Sequence, residues 1–487
     1  VPAPEEAAQA VAHAPAAAPS GGLPQRPGVV LGIACAAQFI CVLDTSVVNV
    51  ALAPMQESLG LSPTGLQWVV SSYTLTFAGF LLLGGRVGDL FGRKRAFVGG
   101  LLVFALSSLA AGLAQEGWQV VVARFAQGLG GAVLVPTTLS LVTTGFLEPR
   151  ARAKALSLLT AAAASGSALG GVIGGLLTGL LSWRWVFFVN VPLAAVLVVA
   201  AVWALPGRPP GHVRGRLDLP GSISVTAGTA ALVGAVILGE ERGWLAGSTL
   251  AALALAVASF AVFVVVERHA ADPVVPLEVF RVRPVTVANG LSFLVSGAMP
   301  AMFFFLALYL QRVLGMNPLQ AGLALIPGAL GIALGARGAS RWIARLGPRA
   351  SFAAGTLLAA GSLLWLSGID VQGRYAVDVL VPLTLAMVGF GAGGLPLTLT
   401  ATSGLGPERA GLASGLLSTT RQVGSAVNFA VLVAIATAWA AGHGGSDTAD
   451  GLTQGFGVGF LVAAGLLVVA SALAVLLPGR RQLDQSG

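Results

Sequence analysis

Fourteen stretches of about eighteen or more residues carry almost no charge, and each is long enough to cross a lipid bilayer as a helix. They fall near 29–52, 66–84, 96–114, 118–142, 155–178, 185–205, 219–239, 246–266, 286–310, 320–340, 351–369, 376–400, 411–437 and 453–477. In hydrocarbon every backbone N–H and C=O must be satisfied within the protein, so such segments have few options beyond the α-helix. Only 9% of the residues are charged, against about 25% in soluble domains. The fold class that follows is an all-α, multi-pass membrane protein.

The cations fix the topology. With the N-terminus inside, 21 of the 27 Lys and Arg fall in cytoplasmic segments and 4 outside, while Arg124 and Arg421 lie within spans. A missed span would swap every later loop to the wrong side and erase that bias. The pattern therefore predicts fourteen spans with both termini cytoplasmic. The same distribution explains the net charge of +8. No basic face with interleaved aromatics is present, so the lipid bilayer is the expected partner and nucleic acid is not. Residues 1–28 are rich in Ala and Pro and lack a basic leader, which predicts a disordered cytoplasmic tail. Cys35 and Cys41 both fall in the first span, roughly 9 Å apart along a helix, too far for a disulfide.

Between the second and third spans the chain reads GGRVGDLFGRKR over 84–95. Gly85, Gly88 and Gly92 favour close helix approach and a tight turn. Asp89 can meet the positive pole of a neighbouring helix, and Arg93 joins the cations that keep this loop inside. The loop between spans 10 and 11 echoes it, with Gly347 aligned to Gly92 and Ala344 in the place of Asp89. The echo predicts two six-helix halves, 29–207 and 284–478, with two helices inserted over 208–283 and a short tail at 479–487. Paired repeats of this kind place a substrate site between the halves near the midplane.

Of nineteen acids, Asp44 alone lies well inside a span. A carboxylate there costs about 2.5–3.5 kcal/mol and is a functional candidate, the structural alternative being a helix–helix hydrogen bond. Arg124 is its natural partner, because the two depths differ by only roughly 6 Å at 1.5 Å rise per residue. Burial favours the neutral acid and a guanidinium favours the carboxylate, so changing their separation would load or release a proton. His13, His212, His269 and His443 all fall in tails or loops, and neither lysine completes a phosphate-binding loop. No metal, ATPase or other cofactor is expected. In span 5, Gly166, Gly170, Gly174 and Gly175 form a smooth helical face, which ordinary tight packing would also explain. Trp68, Tyr73, Phe303, Phe304, Phe305 and Tyr309 could line an apolar ligand cavity, or simply pack.

Several stretches resemble the fourteen-span drug:proton antiporter-2 family of the major facilitator superfamily. The 84–95 loop is similar to its motif A, and Gly166 to Gly175 to its antiporter motif C, with Gly171 where a proline is usual. The segment from Leu43 through Asp44, Ser46 and Asn49 to Leu52 matches the span-1 signature. Gln67, Trp68 and Tyr73 match the second span. Arg124 to Gly128, including Gln127, is similar to motif B. Trp183 to Pro192 is similar to the span 5–6 hairpin, and Asp272 to Arg281 to the loop before span 9. The resemblance implies two six-helix halves plus two central helices, and export of small amphipathic drugs, antibiotics or metabolites in exchange for protons. It implies Asp44 as proton carrier, Arg124 as its partner, and Asp89 with Arg93 as a gate latch. Asn49, Trp68, Tyr73, Gln127, Phe304 and Tyr309 are the expected substrate contacts. The expected setting is a bacterial inner membrane. Import or uniport of a nutrient on the same fold is the main alternative. A membrane-embedded enzyme or sensor would need a catalytic or metal cluster, or a soluble domain, that the sequence does not offer.

Overall fold

A computed structural model describes residues 27–146, 148–205, 219–270, 277–403, 410–443, 445 and 448–478. The tails, the linker 206–218 and the loop motif at Asp272–Pro276 lie outside the described residues.

Among the described residues the protein is entirely helical. The first group comprises α1 (Pro27–Leu59), α2 (Pro63–Phe91), α3 (Arg93–Leu113), α4 (Gly117–Gly145), α5 (Pro149–Leu180), the single turn α6 (Trp185–Phe188) and α7 (Asn190–Ala204). A pair follows, α8 (Leu219–Arg242) and α9 (Gly247–His269). The last group is α10 (Arg283–Val295), α11 (Ala298–Leu308), α12 (Pro318–Ala324), α13 (Ile326–Leu366), α14 (Val381–Ser403), α15 (Ala410–Gly442) and α16 (Ala449–Leu473). Twelve segments among the described residues are long and apolar enough to span a membrane. They coincide with twelve of the fourteen expected spans, and α2 and α8 occupy the remaining two positions. The outer faces are those of a protein in lipid: Val196, Val199 and Trp203 on α7 are 68%, 70% and 67% exposed, apolar surface that water would penalise.

Local chemistry sets the ends. Ser62 accepts the Gly65 N–H at 3.0 Å, with Pro63 in the first turn of α2. Asn317 and Gln320 form a reciprocal capping box ahead of α12. Span 9, expected as one helix, is broken: α10 ends at Val295, α11 restarts at Ala298, and Tyr309–Val313 is a π-helix. Such interruptions recur at transporter sites. Span 10 likewise divides at Leu325, because Pro327 has no N–H to continue the ladder from α12.

The 255-residue echo reappears in the backbone. Gly92, between α2 and α3, has φ +91°, and Gly347, at the bend in α13, has φ +79°. Both combine positive φ with extended ψ, a conformation nearly confined to glycine. Gly92→Ala and Gly347→Ala should each lower stability by about 1–3 kcal/mol, read as a fall in the unfolding temperature of purified protein. Gly99→Ala, on an open helical face, is the control.

The helices α8 and α9 pack on each other, and α8 also touches both α2 and α15. Gly79 of α2 leaves room for the Thr226 side chain of α8. Val233, Ala430, Trp68 and Val427 form one apolar cluster across the three helices. Hydrogen bonds that link the first and last helix groups run from Gln67 Nε2 to the Ala430 carbonyl and from Gln311 Nε2 to the Val50 carbonyl, each 3.2 Å.

Candidate functional site

Asp44 stands midway along α1 among Cys41, Leu43, Val47 and Val48, all buried. Its side chain is 0% exposed, so its charge has to be met inside the protein. Arg124, on α4, supplies the partner. Its Nη1 donates to Asp44 Oδ2 at 2.5 Å. The guanidinium is itself fixed: Nε donates to the Val69 carbonyl of α2 at 3.3 Å, Nη1 to Gln127 Oε1 at 2.7 Å, and its carbon lies 4.3 Å over the Tyr73 ring.

The other carboxylate oxygen is equally occupied. Gln127, one turn along α4 from Arg124, donates from Nε2 to Asp44 Oδ1 at 2.8 Å and to Ser108 Oγ at 2.7 Å. Asn190 Nδ2 donates to the same Oδ1 at 2.8 Å. Ser108, on α3, donates its own hydroxyl to the Phe104 carbonyl at 2.8 Å. Asn190 opens α7, one residue after α6 ends at Phe188, with Val189 between them in helical conformation. Arg184 pins the turn that leads from α5 into α6, donating to the Gly112 and Ala114 carbonyls at the end of α3 and lying 4.5 Å over the Trp183 ring. Asp44, Arg124, Gln127, Ser108 and Asn190 thus form one closed polar core. Sequence reasoning found the first three. Ser108 gave no signal, and Asn190 was visible only as part of a hairpin motif.

A buried ion pair is seldom the cheapest way to stabilise a fold, since desolvation offsets most of the attraction. Its presence in an apolar bundle points to a task that needs a charge.

Arg124 also borders a space between the helix groups, a cavity of about 250 Å³. Its walls differ in kind. Thr45, Ser46, Asn49, Tyr73, Thr74 and Ser167 come from α1, α2 and α5, whereas Met299, Phe303, Leu325 and Ala329 come from α11 and α13 and the turn between α12 and α13. One wall offers hydrogen bonds, the other apolar contact, and Arg124 is the charged residue in the lining. That arrangement suits an amphipathic guest.

Asn49 and Tyr73 border this cavity as expected, and Gln127 stands behind it in the polar core. Trp68, Phe304 and Tyr309 do not border it. Trp68 packs 6.3 Å from Phe125 and against the α8 seam. Phe304 lies in a second cavity of about 40 Å³ with Phe305, Arg312 and Phe456. Adjacent helical residues point about 100° apart, so of the three candidate phenylalanines Phe303 borders the central cavity, while Phe304 and Phe305 face the second. Tyr309 is fully buried, and its hydroxyl donates to the Asp370 carbonyl at 2.6 Å.

The glycines sort by face. Cβ atoms at Gly166 and Gly174 would lie 2.6 Å and 2.9 Å from the Phe39 and Val47 carbonyl oxygens, and one at Gly170 would strike Ser46, all on α1. Gly171 and Gly175 instead face α12, against Gly322 and Pro318. Gly171, where the related motif has proline, therefore serves close approach. In the 84–95 stretch the glycine pressed on α4 is Gly84, against Ala132, while Gly85 and Gly88 have ordinary room. Arg93 reaches α4, with Nε to Ser140 Oγ at 2.8 Å and Nη1 to Thr144 Oγ1 at 2.9 Å. The Asp89 side chain lies outside the described residues.

The Major Facilitator Superfamily model matches residues 34–429. The chain is similar to the cephamycin export protein CmcT of Amycolatopsis lactamdurans, 41% identical and covering 92% of this chain and 91% of that one. It is similar to the puromycin resistance protein pur8 of Streptomyces alboniger, at 38% identity with 94% and 93% coverage. Among solved structures it superposes on a D-xylose-proton symporter with a TM-score of 0.67 at 14% identity, covering 93% of this chain and 98% of that one. A bacterial homologue of the lysosomal transporter Spinster gives 0.66 at 14%, with 95% and 98% coverage. These two likenesses concern the fold.

Proposed function

The chain belongs to the Major Facilitator Superfamily, and we propose that it exports small amphipathic compounds, antibiotics among them, in exchange for protons across the bacterial cell membrane. The observation that carries this reading is the shared position of Arg124. It is bound to the buried Asp44 and borders the two-sided cavity, so the proton site and the substrate space meet in one guanidinium. The close relatives named for antibiotic export and resistance support the direction.

In this reading the chain crosses the membrane fourteen times with both termini in the cytoplasm. The halves 29–207 and 284–478 move against each other around the cavity, and α8 and α9 ride on the seam. Asp44 holds the proton, Arg124 answers its charge, and the glycines of α5 let the halves meet. With Asp44 ionised the pair is neutral. A proton on Asp44 leaves Arg124 unanswered beside the cavity, which favours the departure of a cationic guest. One proton falling through 100 mV supplies about 2.3 kcal/mol, enough for roughly a fifty-fold gradient.

Purified protein in liposomes with an imposed pH gradient tests the proposal against a panel of dyes and antibiotics. Substrate-dependent proton flux should appear in the wild type and vanish in Asp44→Asn. Equal flux in both would remove the proton from Asp44. Substrate moving with the proton instead of against it would make the protein an importer.

A further inference from the structure

Every hydrogen bond to the Asp44 carboxylate comes from a donor. Oδ2 receives Arg124, and Oδ1 receives both Gln127 and Asn190. A proton arriving from water turns the carboxylate into an acid whose O–H must itself donate. A buried hydroxyl with no acceptor is costly, so one of the surrounding groups has to reverse its role.

Elimination leaves one candidate. Arg124 has only donors. Gln127 Oε1 already accepts from Arg124 at 2.7 Å, and its NH₂ is held by Ser108 at 2.7 Å, so turning it would break both contacts. Ser108 Oγ accepts from Gln127 and donates to the Phe104 carbonyl. Asn190 is less bound, since its amide has only a long 3.4 Å contact to Ser108 besides Asp44. Rotation about the terminal amide torsion meets a broad, shallow barrier and exchanges NH₂ for C=O in place.

We propose that Asn190 is the hydrogen-bond switch of Asp44, donating to the carboxylate and turning over to accept from the protonated acid. It is a positioning residue: it holds no proton and does not border the substrate cavity. The other titratable groups around Asp44 are Arg124 on α4, Tyr73 on α2 and Cys41 one turn back on α1. Thiol and phenol are neutral at physiological pH, and α5 packs on this stretch of α1 through Gly166, Gly170 and Gly174. Asn190 is thus the neutral neighbour able to serve both states.

The inference rests on Asp44 as the proton site, and its test separates the two. Asn190→Leu removes donor and acceptor at similar volume, Asn190→Ala removes them without bulk, and Asn190→Ser keeps both on a hydroxyl. The readouts are the pH dependence of ethidium-driven proton flux in liposomes and the infrared band of the carboxylic acid C=O that is absent from Asp44→Asn. The bond to the charged form is the stronger of the two, so its loss favours protonation. The midpoint in Asn190→Leu and Asn190→Ala should move up by about one pH unit. The acid band should also shift to higher wavenumber, and Asn190→Ser should restore both. An unchanged midpoint, with or without a lower unfolding temperature, overturns the switch. A shifted midpoint with an unmoved band reduces Asn190 to a plain donor and overturns the turnover. Wild-type flux and band in Asp44→Asn would instead sink the proton assignment, whatever Asn190 does.

Discussion

Arg124→Gln should cost about 3–5 kcal/mol of stability, the penalty for leaving a buried charge without its partner. Asp44 would keep its bonds from Gln127 and Asn190, but neither amide carries charge. Asp44→Asn should also destabilise, because it strands the guanidinium in the same dry core. Its loss should be smaller, since Arg124 retains the Val69 carbonyl, Gln127 and the Tyr73 face. The double variant should lie closer to the wild type than the sum of the singles predicts, by more than about 1 kcal/mol. Thermal unfolding of the four proteins in one detergent measures the cycle. Strict additivity would mean that the 2.5 Å contact carries no energy in the folded protein and would weaken the case for Arg124 as the relay.

What sequence could show here follows from how each feature is encoded. Asp44 was legible because a lone acid in an apolar run is costly wherever the helix turns. Arg124 was legible because depth along two antiparallel spans is simple arithmetic at 1.5 Å per residue. Gly92 and Gly347 were legible as a spacing echo, and their shared positive φ supplies the reason. Rotation about a helix axis is encoded far more weakly. In an all-round apolar span nothing distinguishes Phe303 from Phe304 and Phe305, so all three stood as cavity candidates, the substrate contact was placed on Phe304 one residue from the cavity, and Tyr309 went to a carbonyl on the loop after α13. Asn190 depended on which face of α7 meets α1, and Ser108 on which face of α3 meets α4. The glycines divide similarly. Their number was plain, but only the packing assigns Gly84 to α4 and Gly171 to α12.

That division makes the second large effect testable. Gly171 and Gly175 meet the backbone of α12, which belongs to the opposite helix group, whereas Gly166, Gly170 and Gly174 meet α1 within their own. A Cβ at Gly171 would press to 3.0 Å from the Gly322 carbonyl oxygen, and on the other side a Cβ at Gly322 would strike the Gly171 carbonyl. Overpacking of this kind costs about 1–3 kcal/mol. Charged to the closed state of a two-state cycle, it lowers that population about 5–150-fold. Gly171→Leu and Gly322→Leu should therefore cut transport by one to two orders of magnitude while the unfolding temperature changes little, because the helix groups can stay apart without unfolding. Gly174→Leu should do the reverse in kind, lowering the unfolding temperature as strongly as it lowers transport, since α1 and α5 have no open state to retreat to. Parallel transport and unfolding measurements on the three variants decide the matter. Wild-type transport by Gly171→Leu would show that the α5–α12 contact is not a surface that closes during the cycle.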